Sequence, residues 1–336
     1  MIQSLHIQNF GPLRDVDWVK LSNINLIIGA NSSGKTFLLK ALYAAIRTLE
    51  DYKRGDDKRS TSEILQHKLF WTFQAEKIGD LVTKGQDEPL TFKMSLEGKE
   101  FIYSFGKDTA KQISTIENHT DIRENNSIFL PAKEILSIQH IILKSREMDK
   151  VFGFDDTYFD LARAISLSPR KGKNYNEFSQ SRTILEKLID GRIEFVDSSK
   201  KWIFKKGNAK YTIGTTAEGI KKIAILDTLL GNRYLDDKSV IFIDEPEAAL
   251  HPAAIETFIE IIQTLSERGL QIIIASHSYF VIKKLYLIAM EKNISVPVLS
   301  FDNEEWKEYD LINGMPDNSI INASVDLYMK EVNLQL

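Results

Sequence analysis

The hydrophobic pattern divides the chain into a strand-rich opening, a mixed middle and a last third in which strand and helix alternate. Residues 2–8 alternate apolar and polar as a half-buried strand does, and Gly11-Pro12 turns the chain. A second strand is predicted at 24–28, where Ile24-Asn25-Leu26-Ile27-Ile28 is almost wholly apolar. Beyond it Leu38, Leu39, Leu42, Ala45, Ile46 and Leu49 fall on one face at helix spacing. Residues 50–62 are dense in charge and read as a solvated loop or helix end. A hairpin is predicted from 90–94 and 100–105 around Glu97-Gly98-Lys99, and a short buried strand from Ser127 to Leu130, closed by Pro131. Residues 134–190 are helical in pattern, broken by a basic, turn-prone stretch at 168–173. A second hairpin (192–196, 202–205, 211–213) precedes a helix at 217–230. Strands at 239–243 and 270–275 then alternate with helices at 252–268 and 279–292. That rhythm predicts a parallel sheet with crossover helices.

The strand at 24–28 and the helix after it bracket Gly29-Ala30-Asn31-Ser32-Ser33-Gly34-Lys35-Thr36, which fits G-x-x-x-x-G-K-[ST] at every fixed position. A Gly/Ser turn that happens to precede a lysine is the plain alternative; correct flanks on both sides argue against it. Glycines let such a loop fold so that backbone N–H groups point inward, and the following helix offers its positive end to the same place. Gly29, Asn31, Ser32, Ser33 and Gly34 are thus expected to cradle the phosphates of a nucleoside triphosphate. Lys35 would reach the β- and γ-phosphates and Thr36 would ligate Mg²⁺.

The strand at 239–243 runs into Asp244-Glu245. Carboxylates at the end of a buried strand either cap the next helix or work at the sheet edge where ligands bind. Asp244 suits the Mg²⁺ side of such a site, and Glu245 suits a general base that polarises the attacking water. The next strand ends in Ser276-His277-Ser278. A lone histidine is usually structural, but His277 leaves the sheet beside the acids and is expected to contact the γ-phosphate; Ser276 could equally cap the helix after it.

Composition narrows the setting. With 43 Lys+Arg against 47 Asp+Glu the net charge is −4, which gives no global case for coating nucleic acid or a membrane. The chain has no cysteine, so disulfides, cysteine nucleophiles and Cys-zinc sites are excluded. The opening lacks an apolar export core and no apolar run is long enough to span a bilayer, which points to the cytoplasm.

More than half the chain separates Lys35 from Asp244, and an Asp-Glu pair followed by a strand ending in His resembles ABC-type ATPases, in particular the group that contains RecF, the SMC proteins and the OLD proteins. The resemblance rests on Leu5–Leu13, the loop at 29–36, Phe129–Ser137, Thr215–Lys222, Asp244–Pro252 and Ala275–Ser278. It implies an α/β ABC-type P-loop NTPase head with a mixed sheet: a core from about 1–50 and 215–300, an inserted β/helical lobe at about 51–214, and a short extension at about 300–336. It also implies that Thr216 and Gly219 form a signature segment acting in trans on a second copy, although the Ser-Gly-Gly core of transporter signatures is missing. Gln74, Gln139 and Lys133 stand as candidates for a Q-loop residue. The implied activity is ATP hydrolysis with Mg²⁺ in a head-to-head dimer that regulates a separately encoded effector such as a nuclease or toxin, in a prokaryotic anti-phage or toxin-type system. A RecF-like DNA-clamping ATPase is the alternative, with Arg170-Lys171-Gly172-Lys173 and Lys200-Lys201-Trp202 with Lys205-Lys206 as candidate DNA contacts. A built-in nuclease fits poorly, because the acids at 301–305 lack Toprim spacing and read as a solvated turn.

Overall fold

A computed structural model describes residues 1–113, 115–168, 179–196 and 201–335; the cluster at 170–173 and Lys200 lie outside them. The amino-terminal strands build an antiparallel sheet. β1 (Ile2–Phe10) pairs with β2 (Leu13–Trp18) on one side and with β4 (Leu90–Leu96) on the other, followed by β5 (Lys99–Phe105) and β6 (Thr115–Asn118). Glu97 and Gly98 both have positive φ (52° and 79°), the geometry that lets a two-residue turn follow the twist of its strands.

The second sheet has the order β14-β13-β3-β12-β11-β7. Its parallel members are β3 (Ile24–Gly29), β7 (Ile128–Leu130), β11 (Val240–Asp244), β12 (Gln271–Ser276) and β13 (Pro297–Asp302); β14 (Glu305–Asp310) closes one edge antiparallel. Both faces are buried, as a parallel sheet requires. Ile27, Phe129, Phe242, Ile273 and Leu299 join the core shared with the antiparallel sheet. Leu26, Leu130, Ile243, Ile274 and Val298 join the opposite core.

α1 (Lys35–Asp51) lies between the two sheets, and this changes its expected character. The sequence predicts one apolar face; in the structure Ala41, Tyr43, Ala44 and Arg47 are buried as well. α2 (Thr61–Phe73) packs on it, started by a capping box between Ser60 and Glu63, so the charge-dense stretch ends in a helix rather than leading straight to the hairpin. The other face of the central sheet is covered by α4 (Asp156–Ile165), α6 (Glu218–Gly231), α7 (Pro252–Glu267) and α8 (Tyr279–Lys292). α3 (Gln139–Glu147) and α5 (Ser179–Ile189) flank them, and β8 (Arg192–Val196), β9 (Lys201–Lys206) and β10 (Ala209–Thr212) form a small third sheet. α9 (Ser319–Gln335) follows β14.

The sheets redraw the expected division at 51–214. β4 pairs onto β1 and carries β5 and β6 with it, and β7 pairs onto β11, so both main sheets draw strands from inside that stretch, while α2 and the part from about 139 to 214 lie off them. At the other end, pairing of β13 with β3 carries the central sheet past residue 300.

A buried acid ties α1 to two of these strands. The Glu50 side chain is fully buried; Oε2 accepts from Arg47 (2.7 Å) and from the Ser127 N–H (2.9 Å), and Oε1 from the Ser127 hydroxyl (2.6 Å). That hydroxyl accepts in turn from the Val240 N–H at 3.1 Å. Removing the carboxylate takes from the buried Arg47 guanidinium its 2.7 Å partner, leaving the longer contacts with Asp51 and Asp160 (both 3.5 Å), and leaves the buried Ser127 N–H and hydroxyl without their acceptor. Glu50→Ala should therefore cost about 3–5 kcal/mol in urea or thermal unfolding; a loss under about 1 kcal/mol would show that this network is not needed.

Candidate functional site

Parallel register brings the carboxyl ends of three strands together. Asp244 pairs with Ala275, and Ser276 pairs with Ile28, one residue before Gly29. The phosphate loop, the two acids and the Ser276-His277 step therefore share the edge where open α/β sheets bind ligands.

The loop turns through Ser32 (φ 64°) and Gly34 (φ 93°), and a Cβ at Gly29 would come within 2.8 Å of Ser33 Oγ. Gly34 is also the N-cap of α1 and has no side chain to offer, so the first N–H groups of the helix carry no side-chain cap and face the loop. Ser33 Oγ is buried without a hydrogen-bond partner. Lys35 Nζ donates to the carbonyls of Gly29 and Ala30, both at 2.8 Å. Burial lowers its pKa, and the nearby Glu245, Asp244 and Glu247 work against that shift. A lysine resting on loop carbonyls, an orphaned hydroxyl and uncapped N–H donors together fit a polyphosphate.

Across the sheet edge, Thr36 Oγ1 lies 3.0 Å from both carboxylate oxygens of Asp244. Burial raises the Asp244 pKa to about 6, against the pull of the Thr36 hydrogen bond. A hydroxyl and a carboxylate held together with phosphate oxygens nearby is the oxygen donor set Mg²⁺ takes at nucleotide sites. These residues fit the ion.

Glu245 leaves the strand geometry at once. Its φ is 47°, its N–H donates to the Ala275 carbonyl at 2.9 Å, and Lys222 Nζ on α6 donates to its own carbonyl at 2.6 Å. Burial lowers the Lys222 pKa to about 8. The Glu245 carboxylate meets His277, with Nδ1 3.2 Å from Oε1. Glu247 supports the pair, accepting from the Ser276 hydroxyl (2.8 Å) and the His277 N–H (3.2 Å). Helix capping does not explain these acids, because His251 caps α7 and Ser278 is the N-cap of α8.

Thr216 and Gly219 stand at the start of α6, held by their own chain. Thr216 donates to the Thr212 carbonyl at 3.2 Å, and a Cβ at Gly219 would come within 2.7 Å of the Ala249 carbonyl. Lys221 binds Glu134 (3.1 Å) and Ser137 (2.8 Å) just beyond β7. Among the Q-loop candidates, Gln139 is locked in the core: its amide donates to the Ala162 carbonyl and the Ser166 hydroxyl and accepts from Trp202. Gln74 ends α2 with its oxygen turned to the Gly153 and Asp155 N–H groups, and Lys133 is exposed past β7. Sequence reasoning missed Lys222 and Glu247. Both lie in segments that carry the resemblance, Lys222 at the end of Thr215–Lys222 and Glu247 in Asp244–Pro252, but neither was given a role there.

A family model described as AAA domain, putative AbiEii toxin, Type IV TA system matches residues 24–283. The chain belongs to this family. It is an ATPase of the AAA/ABC type. It is 22% identical over 337 residues to an ATP/GTP phosphatase of Helicobacter pylori, covering 88% of this chain and 90% of that protein. A segment of 40 residues is 58% identical to the Old nuclease of Escherichia phage P2, but this is 12% of the chain and 7% of the nuclease. Among solved structures, an Smc head bound to the C-winged helix domain of ScpA aligns with a TM-score of 0.55 at 13% identity, over 92% of this chain and 97% of that one. An Smc head with an extended coiled coil, bound to the C-terminal domain of ScpA derived from Pyrococcus furiosus, aligns at 0.50 and 12% identity, over 98% and 99%. The fold of the AAA-family chain is that of an ABC-type head. Among the described residues no helix is long and apolar enough to cross a membrane.

Lys35→Ala should weaken ATP binding by roughly 10²-fold or more in calorimetric titration, with the circular dichroism spectrum unchanged. Retained tight binding would remove the loop from the site.

Proposed function

We propose that this ATPase hydrolyses ATP between two copies of itself and passes the nucleotide state to a separately encoded effector. The phosphates lie on the N–H groups of Gly29, Asn31, Ser32, Ser33 and Gly34, and Lys35 exchanges its loop carbonyls for β- and γ-phosphate oxygens. Thr36 and Asp244 hold Mg²⁺, which when bound neutralises charge developing on the phosphates. Glu245 takes the proton of the attacking water, with His277 beside it facing the γ-phosphate.

The observation that carries the paired reading is the openness of this catalytic end. The side chains of Glu245 and His277 are 34% and 42% exposed. A hydrolytic site gains from excluding bulk water and from fixed charges at the γ-phosphate. A second copy would cover the site and offer N–H donors to the γ-phosphate through the amino end of its α6, whose first N–H groups have no side-chain cap. Thr216 and Gly219 act there in trans, Gly219 by letting the first turn pack tightly on its own Ala249 turn.

The effector reading draws support from α9. Ile321 is buried, but Val325, Leu327, Tyr328 and Met329 beyond it are exposed. Such a helix is suited to a protein partner. The family description supports a toxin-type setting, and an anti-phage role and a cytoplasmic location extend that reading. The second reading, duplex DNA held by the dimer, has one observation in its favour. Arg192, Lys205 and Lys210 stand in register across the small sheet; Glu194 pairs with Arg192 at 2.5 Å, so the like charge that an added anion would relieve is that of Lys205 and Lys210. Trp202 does not help, because it is buried against Gln139 rather than open to a base.

Glu245→Gln is expected to keep ATP affinity, lower turnover by about two orders of magnitude or more, and accumulate an ATP-dependent dimer in sedimentation velocity. Normal turnover would dismiss Glu245 as the base, and a variant that stays monomeric in ATP would dismiss the sandwich.

A further inference from the structure

A cleft of about 540 Å³ opens beside the phosphate loop, between the β1–β2 turn and the tip of the β13–β14 hairpin. We infer that it receives the base of the bound nucleoside triphosphate, with Trp306 as the stacking wall; the inference rests on the triphosphate reading of the loop and deepens it.

Position is the first argument. Phe301, one residue before the end of β13, is in register with Gly29, and a Cβ on Gly29 would lie 3.1 Å from Phe301 Cβ. On the other side Pro12 packs against the far end of the loop, 3.5 Å from where a Gly34 Cβ would be. Both walls of the cleft thus touch the segment expected to hold the phosphates, and a cleft that adjoins the loop is within reach of the ribose and base that follow them. The volume falls within the range of small-molecule sites.

Chemistry is the second argument. Trp306 pairs directly with Phe301, so the two side chains share one face of the hairpin, and their rings lie 5.0 Å apart at 57°. Phe301 steadies the indole from one side while the cleft lies along another. Asn303 and Glu304 make the hairpin tip with φ of 49° and 63°, a tight turn that fixes where Trp306 stands. Of the acids at 301–305, Glu304 and Glu305 stand exposed at the turn, as expected, and line the rim of this cleft. Arg14 shares that rim with Glu304 and Glu305, a mixture of charge that suits a neutral base and not a further phosphate. Stacking reads the face of a base and not its edges, so adenine and guanine nucleotides bind alike.

Calorimetry on the full chain tests this with ATP, GTP and inorganic tripolyphosphate. Trp306→Ala is expected to weaken ATP and GTP by about 5- to 100-fold and leave tripolyphosphate unchanged, and Trp306→Phe to restore most of the loss. ATP affinity within twofold of the parent in Trp306→Ala, or an equal loss for tripolyphosphate, overturns the assignment. Photolabelling of the unmodified chain by 8-azido-ATP avoids any folding defect: label is expected on peptides spanning 11–15 or 301–307, and label confined elsewhere overturns it. Failure of the loop reading looks different, since Lys35→Ala would then bind both ATP and tripolyphosphate as the parent does.

Discussion

The parallel register of β3, β12 and β11 is the constraint on which the site depends. Each residue of these strands is buried on one face or the other, so a slip of one position would turn every side chain to the wrong core. Two buried amides pin the register at the amino ends. Asn25 accepts from the Ser22 N–H (2.7 Å) and donates to the Ile272 carbonyl (3.2 Å), locking β3 to β12. Gln271 exchanges hydrogen bonds with the backbone of Ile2 at 2.8 and 2.7 Å, locking β12 to the antiparallel sheet. With the amino ends fixed, the carboxyl ends must deliver Gly29, Ser276 and Asp244 side by side.

What the register delivers is a set of charges poised before any substrate arrives. Lys35 is nearly buried among Asp244, Glu245 and Glu247, and its ammonium leans on carbonyls that polyphosphate oxygens would outcompete. Burial raises the Asp244 pKa to about 6, and a cation beside it would pull that value back down. Lys222 fastens α6 to the carbonyl of Glu245, and Lys221 fastens the same helix to Glu134. The segment proposed to meet a second copy is thereby bonded to the catalytic loop of its own chain.

Much of this was legible in the sequence for local reasons. The loop at 29–36 carries its own mechanism once a buried strand enters it and a helix leaves it. Asp244 stood out because carboxylates rarely end an apolar run. Burial of α1 on all sides was not legible, since it follows from a second sheet whose strands β4–β6 lie well beyond the helix in sequence. α2 was hidden because its start lies within a run of charges, where Ser60 and Glu63 are the cue. β13 and β14 were missed because the last strand–helix pair already completes the expected rhythm, and their pairing with β3 is non-local. Gln139 is a core residue for a reason no motif encodes: the Trp202 indole, on a distant hairpin, needs an acceptor.

The central claim is that catalysis requires two heads. The specific ATPase rate as a function of chain concentration tests it most directly. The account predicts that turnover per chain rises with concentration and falls toward zero on dilution below the dimerisation range. A rate per chain that stays constant down to concentrations at which sedimentation finds only monomer in ATP would contradict it.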